Sequence, residues 1–193
     1  MSEKLKTKDF VTIGVFTVIY FIMMFAVGMM GMVPILFLMY PFFNAIVGGV
    51  IVMLFMAKVP KPWALFIFGI LSPLIMFLMG HTYVLLVESI ILMLIAEMIF
   101  RAGKFKSFKF NALANAVFSC WICGSLLQLL LIKDKYKEMT VKMMGDEYAK
   151  ALETLVTPST MVLIYLGAFI GGLIGAYLGK AMLKKHFEKA GIV

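Results

Sequence analysis

From Phe10 to Ala57 the chain carries no charged residue. Two further stretches, between Lys109 and Lys133 and between Glu153 and Lys180, are also free of charge. A helix that crosses a bilayer needs roughly 20 apolar residues, so each stretch holds at least one crossing and the first holds two. A chain of 193 residues would suit one soluble domain by length, but 63% hydrophobic and 15% charged residues would not. These runs define an integral membrane protein.

Proline and glycine punctuation divides the apolar sequence into six spans: about 9–29, 34–57, 62–80, 82–101, 109–132 and 158–182. GMMGMVP separates the first pair, KVPKP the second and third, and GHT the third and fourth. The expected fold is an all-α bundle of six transmembrane helices forming a single domain over residues 1–193. The basic N-terminus precedes a long apolar run with no small-residue cleavage site, which reads as a retained first span.

A net charge of +8 suggests nucleic acid until the charges are placed. Lys4, Lys6, Lys8, Lys58, Lys61, Arg101, Lys104, Lys106, Lys109, Lys180, Lys184, Lys185 and Lys189 fall on one side of such a bundle. The other five basic residues lie in the 133–153 loop with five acids. The positive-inside rule then makes both termini cytoplasmic in a multi-pass cell-membrane protein, with no role in nucleic-acid binding. The 133–153 loop faces outside. Met144, Tyr148, Leu152 and Leu155 recur there at helical spacing, predicting one external amphipathic helix over about 136–156 across the mouth of the bundle. A helix resting at the headgroups is the alternative.

In the last span Gly167, Gly171, Gly175 and Gly179 stand four residues apart. Glycine costs about 1 kcal/mol per helical position in water, so four on one face need a reason. Lipid is as apolar as leucine, and helices associate in it through close backbone approach, which small residues permit. Ala168, Gly172 and Ala176 widen the groove. It serves either packing within the chain or docking of a partner subunit, and Gly14 and Thr17 on the first span form a shorter patch of the same kind. GAYLGKAM does not bind phosphate: Ile174 replaces the first glycine of a Walker A motif and Ala181 its Ser/Thr.

Charged groups inside a span are functional suspects. Glu97 has Arg101 one turn on and reads as a structural ion pair. Glu88 has no such helical neighbour, and His81 lies seven residues before it. Together they are expected to offer a polar pair to a ligand in an outward-facing cavity; a protonated Glu88 bonded to another helix is the alternative. Trp121, Ser125 and Gln128 follow helical spacing on the fifth span, with Asn115 and Ser119 deeper. Tyr40, Asn44 and Tyr165 complete a ring of the kind that lines small-molecule pockets. The many Met and Phe residues read as filler and lipid contact. Cys120 and Cys123 read as small buried hydrophobes.

No zinc-protease or nucleophile-elbow motif is present, and His81 and His186 are expected on opposite sides of the membrane. The chain is expected to be no enzyme and to need neither metal nor cofactor.

The stretches TIGVFTVIYF, GHTYVLL, MGDEYAKAL and LGKAMLKKHFEKAGIV, spread over most of the chain, resemble the Trep_Strep group of S components of energy-coupling factor (ECF) transporters. That resemblance implies a bundle that captures a vitamin or similar micronutrient outside. A coupling membrane subunit and two cytoplasmic ATPases then drive it to topple and release the ligand inward. It further implies docking through the first helix at Gly14 and Thr17, where family members carry AxxxA, and a lid in GMMGMVP. The implied site at the outer ends of the fourth to sixth spans coincides with Glu88, Trp121, Gln128 and Tyr165 and adds Asp146 and Glu147. A self-contained carrier or channel, with Glu88 as a proton site, and an intramembrane enzyme are the alternatives.

Overall fold

The computed structural model describes residues 4–189, with side chains as far as Lys184. Expectations placed on the side chains of Lys185, His186 and Lys189 and on the extreme termini lie outside the described residues. The described chain is helical, with no strand.

Helix α1 (Thr7–Gly28) starts where Asp9 accepts the Lys6 backbone N–H at 2.7 Å and holds the Lys61 ammonium at 2.8 Å. A carboxylate in a first turn satisfies orphan N–H groups and suits the helix dipole. After a single 3-10 turn, Met29–Met32, helix α2 (Pro34–Lys58) opens on proline, whose missing N–H costs nothing at that position.

Helix α3 (Ala64–Leu78) is shorter than expected for residues 62–80. Trp63 takes a left-handed φ of 69° and Gly80 a φ of 107°, and these two backbone reversals set its limits. Fifteen residues reach about 22 Å, less than the roughly 30 Å of hydrocarbon in a bilayer. Five other helical stretches are long and apolar enough to cross a membrane. Of the six spans expected from the sequence, five are long enough to cross a membrane, and α3 is a shorter apolar helix.

Helix α4 (Tyr83–Ala102) is tied to the start of α3 by Glu97, which is 1% exposed. Its carboxylate accepts the Trp63 and Phe66 N–H groups at 2.6 and 3.2 Å and the Arg101 Nε–H at 2.7 Å. The Arg101 guanidinium lies 4.2 Å over the Trp63 ring. The expected ion pair is present, and it also caps a neighbouring helix.

The fifth span is not one continuous helix. Helix α5 (Phe108–Ser119) gives way to a 3-10 turn, Cys120–Cys123, before helix α6 (Gly124–Leu131). Both cysteines are buried and unbridged.

The 133–153 loop holds two helices rather than one, because Gly145 at φ 91° breaks it into α7 (Lys133–Met144) and α8 (Asp146–Leu155). Glu153 joins the pair, meeting the Lys133 and Lys137 ammoniums at 2.5 and 2.8 Å, and these cations hold its carboxyl at about 2. Leu152 is buried, as its place on the apolar face requires, whereas Met144 stays 42% exposed.

Helix α9 (Pro158–Lys189) closes the fold, and its small-residue face is covered within the chain. A Cβ on Gly171 would stand 2.6 Å from the Phe42 carbonyl oxygen, and one on Gly175 would stand 2.6 Å from that of Ile46. A Cβ on Gly179 would stand 2.8 Å from the Met53 side chain of α2, and one on Gly172 2.7 Å from the Ala116 backbone of α5. Ala168 and Ala176 are fully buried beside them. Gly171, Gly175 and Gly179 are therefore not available to dock a partner, because α2 already covers them, the first two by its backbone and Gly179 by Met53. Gly167 meets only Phe42 at 3.9 Å. Thr17 is likewise turned inward and donates to the Ile13 carbonyl at 2.9 Å, while nothing approaches Gly14 within 4 Å.

Candidate functional site

The two ends of the α1–α2 hairpin differ in chemistry. Lys6, Lys8, Lys58 and Lys61 line a hollow where α1 begins and α2 ends. At the opposite end, around the Met29–Met32 turn, two cavities of about 290 and 340 Å³ share Gly28, Phe37 and His81. The inner one is walled by Met24, Tyr40, Leu85, Trp121 and Ser125. The outer one lies beneath α7 and α8, against Tyr136, Met139, Thr140 and Tyr148. Their volumes are those of small-molecule sites.

Local structure explains why these side chains meet. The 3-10 turn at Cys120–Cys123 carries Trp121, 0% exposed, whose indole N–H donates to the Tyr20 hydroxyl at 3.0 Å. Asn44 of α2 donates to the same hydroxyl at 3.4 Å, so Tyr20 links α1, α2 and the turn. Tyr40 stacks on Phe37 with ring centroids 6.0 Å apart and donates to the Met24 carbonyl at 3.4 Å. Gln128 accepts both the N–H and the hydroxyl of Thr82, at 3.1 and 2.6 Å, and donates to the Ser125 carbonyl at 3.1 Å. It is a strut that fixes the α3–α4 turn onto α6, and it lines neither cavity.

That turn presents His81. Its N–H donates to the Met76 carbonyl at 3.1 Å, and its imidazole fronts both cavities. The buried Nδ1 has no hydrogen-bond partner among the described residues. Burial pushes the imidazole pKa below its ordinary value, which keeps it neutral at pH 7. A neutral imidazole offers one donor and one acceptor.

Glu88 is placed differently from the expectation. Its Oε1 accepts the Tyr165 hydroxyl at 2.5 Å, and its buried Oε2 has no partner among the described residues. The carboxyl lies against Gly124, where a Cβ would overlap it. Glu88 and Tyr165 thus join α4, α6 and α9, and line neither cavity. The expected pairing of His81 with Glu88 on one helical face does not occur, because α4 begins at Tyr83 and helical spacing does not extend back to residue 81. Leu85 is the α4 residue that reaches the inner cavity.

Among the remaining expected site residues, Trp121, Ser125 and Tyr40 line the inner cavity, and Asn44 stands behind it through Tyr20. Asp146 faces outward in an ion pair with Lys150 at 2.5 Å, and Glu147 is exposed. Asn115, expected deeper in the bundle, donates to the Gly172 carbonyl at 2.7 Å and braces the helix seam.

Sequence reasoning missed the methionines. Three line the inner cavity and five the outer, of 18 in the chain, so these residues are walls as well as filler. It also missed Tyr20 and Thr82, whose roles come from contacts across the bundle. GMMGMVP gave a usable signal: Tyr148 of α8 donates its hydroxyl to the Gly31 carbonyl, latching the α7–α8 cover onto that turn.

A family model described as hypothetical bacterial integral membrane protein (Trep_Strep) matches residues 7–189. Neither the curated proteins nor the solved structures compared with the chain give a match. The matched region takes in every helix of the bundle and both cavities, and the chain belongs to the Trep_Strep family of bacterial integral membrane proteins.

Proposed function

We propose that this protein is the substrate-binding membrane subunit of an ATP-driven ECF-type importer, and that the hollow around His81 is where it captures a micronutrient. One observation carries the reading. A small-molecule-sized hollow sits at one end of a membrane bundle, under a two-helix cover latched by Tyr148 to the turn between α1 and α2. The basic hollow at the other end gives this one its side, because lysines collect on the cytoplasmic face. The capture end is then outside, α3 completes a six-helix bundle as a short crossing, and both termini are cytoplasmic.

In this reading the chain performs no chemistry. Ligand binding orders the α7–α8 cover, and a coupling membrane subunit with two cytoplasmic ATPases topples the closed bundle. The α1 surface around Gly14 is the docking face: Val11, Val15 and Val18 are more than half exposed beside it. The test is co-expression with an ECF coupling module, followed by co-purification and ATP-dependent uptake of candidate vitamins. Association and uptake are expected; a chain that binds no such module overturns the proposal.

A second reading rests on Glu88. A buried carboxyl oxygen without a partner, on an apolar span, is what a proton-coupled carrier would use. Uptake into proteoliposomes without ATP, lost in Glu88→Gln, would favour it.

A further inference from the structure

We propose that the molecule taken by the hollow carries no net charge: it places a flat apolar body in the inner cavity and one hydrogen-bonding group against His81. The inference rests on the reading of the hollow as a capture site and names the class of ligand that site accepts.

The walls supply the first argument. Among the described residues, no Asp, Glu, Lys or Arg lines either cavity. Moving an ion from water to such a place is unfavourable unless a counter-charge meets it. Several charges close to the lining residues in the chain are paired with each other or with another helix. Glu88 is bonded to Tyr165, Asp146 to Lys150, and Glu153 to Lys133 and Lys137. Lys142 is paired with Glu138 at 2.6 Å. An ionised ligand would meet no counter-charge on the lining of either cavity.

The second argument concerns hydrogen bonds. Tyr40, Ser125, Thr140 and Tyr148 all front the hollow, and each hydroxyl already donates to a backbone carbonyl. His81 lines both cavities, and its imidazole has no hydrogen-bond partner among the described residues. A ligand donor or acceptor would supply the hydrogen bond that this ring lacks within the chain.

The third is shape. Phe37, Tyr40 and Trp121 give the inner cavity flat aromatic walls, and methionine thioethers adapt to what lies between them. Flat and apolar is the complement of that lining.

The experiment uses the full chain in detergent with Trp63→Phe, which leaves Trp121 as its single tryptophan. Three probes share one dimethylaminonaphthalene ring: dansyl amide is uncharged, the free sulfonate is an anion, and the aminoethyl sulfonamide is a cation. Saturable energy transfer from Trp121 that is lost on filling the inner cavity reports its occupancy. Dansyl amide is expected to give saturable transfer, with both charged probes at least ten-fold weaker. Gly28→Leu is expected to abolish the signal. The atoms nearest a Cβ there belong to Tyr40, at 3.7 Å and beyond, an ordinary contact, so the side chain is tolerated and fills the shared space. His81→Phe, monodisperse by gel filtration, is expected to weaken dansyl amide about ten-fold. Equal or tighter binding of a charged probe overturns the ligand class and leaves the capture site standing. No saturable transfer from any probe, or transfer unchanged in Gly28→Leu, overturns the proposal together with the hollow as a site.

Discussion

The α2–α9 seam and the hollow beneath α7–α8 are built from opposite materials. Along the seam, Gly171 and Gly175 bring one helix against the carbonyl oxygens of another, and there is no room for a single added methyl group. Around the hollow, long thioether and aromatic side chains stand back from one another and leave about 290 and 340 Å³ between them. The seam is rigid because backbone meets backbone. The hollow is adaptable because its walls are flexible side chains hung from fixed turns.

The largest effect is expected at the seam. Gly175→Leu drives a side chain into the Ile46 and Ala45 carbonyls and should leave no monodisperse protein on gel filtration in detergent. Gly14→Leu, where nothing lies within 4 Å, should fold normally. Equal behaviour of the two variants would break the distinction between a covered and an open glycine.

Glu97→Ala comes next. It strips two backbone N–H groups and Arg101 of their acceptor, at a cost of about 3 kcal/mol or more in thermal stability. Binding at the hollow should be unaffected once folded protein is recovered, because Glu97 lines neither cavity.

A smaller change sharpens the account of the cover. Tyr148→Phe removes one hydrogen bond, worth about 1 kcal/mol, and should leave the melting temperature nearly constant. Amide hydrogen exchange in α7 and α8 should speed up while the seam stays protected. The smallest effect is expected from Asp146→Asn, which breaks an exposed pair worth about 0.5 kcal/mol or less and should not alter ligand binding.

The difference between the two regions also explains what could be read in advance. The apolar runs located the starts of the long helices to within two residues, because charge and proline set them, whereas α9 runs seven residues past its expected end. The four-residue glycine rhythm marked a close-packed face, although its owner, α2, needed the structure. Failures cluster where a side chain's role is set by a distant partner. Glu88 looked pocket-facing by its apolar neighbours alone, yet Tyr165 and Gly124, on other helices, fix where it points. His81 was read on a helix that starts two residues later. Gly145 looked compatible with one amphipathic helix, but its positive φ makes two. The methionine walls have no sequence period that separates them from lipid-facing methionines.

The most direct measurement is native mass spectrometry of the purified chain beside Gly28→Leu. The account expects a co-purified small molecule, at one per chain, on the parent protein and none on the variant, with both chains equally monodisperse. The same molecule retained by Gly28→Leu at the same occupancy would contradict it, because the ligand would then lie somewhere other than the space shared by the two cavities.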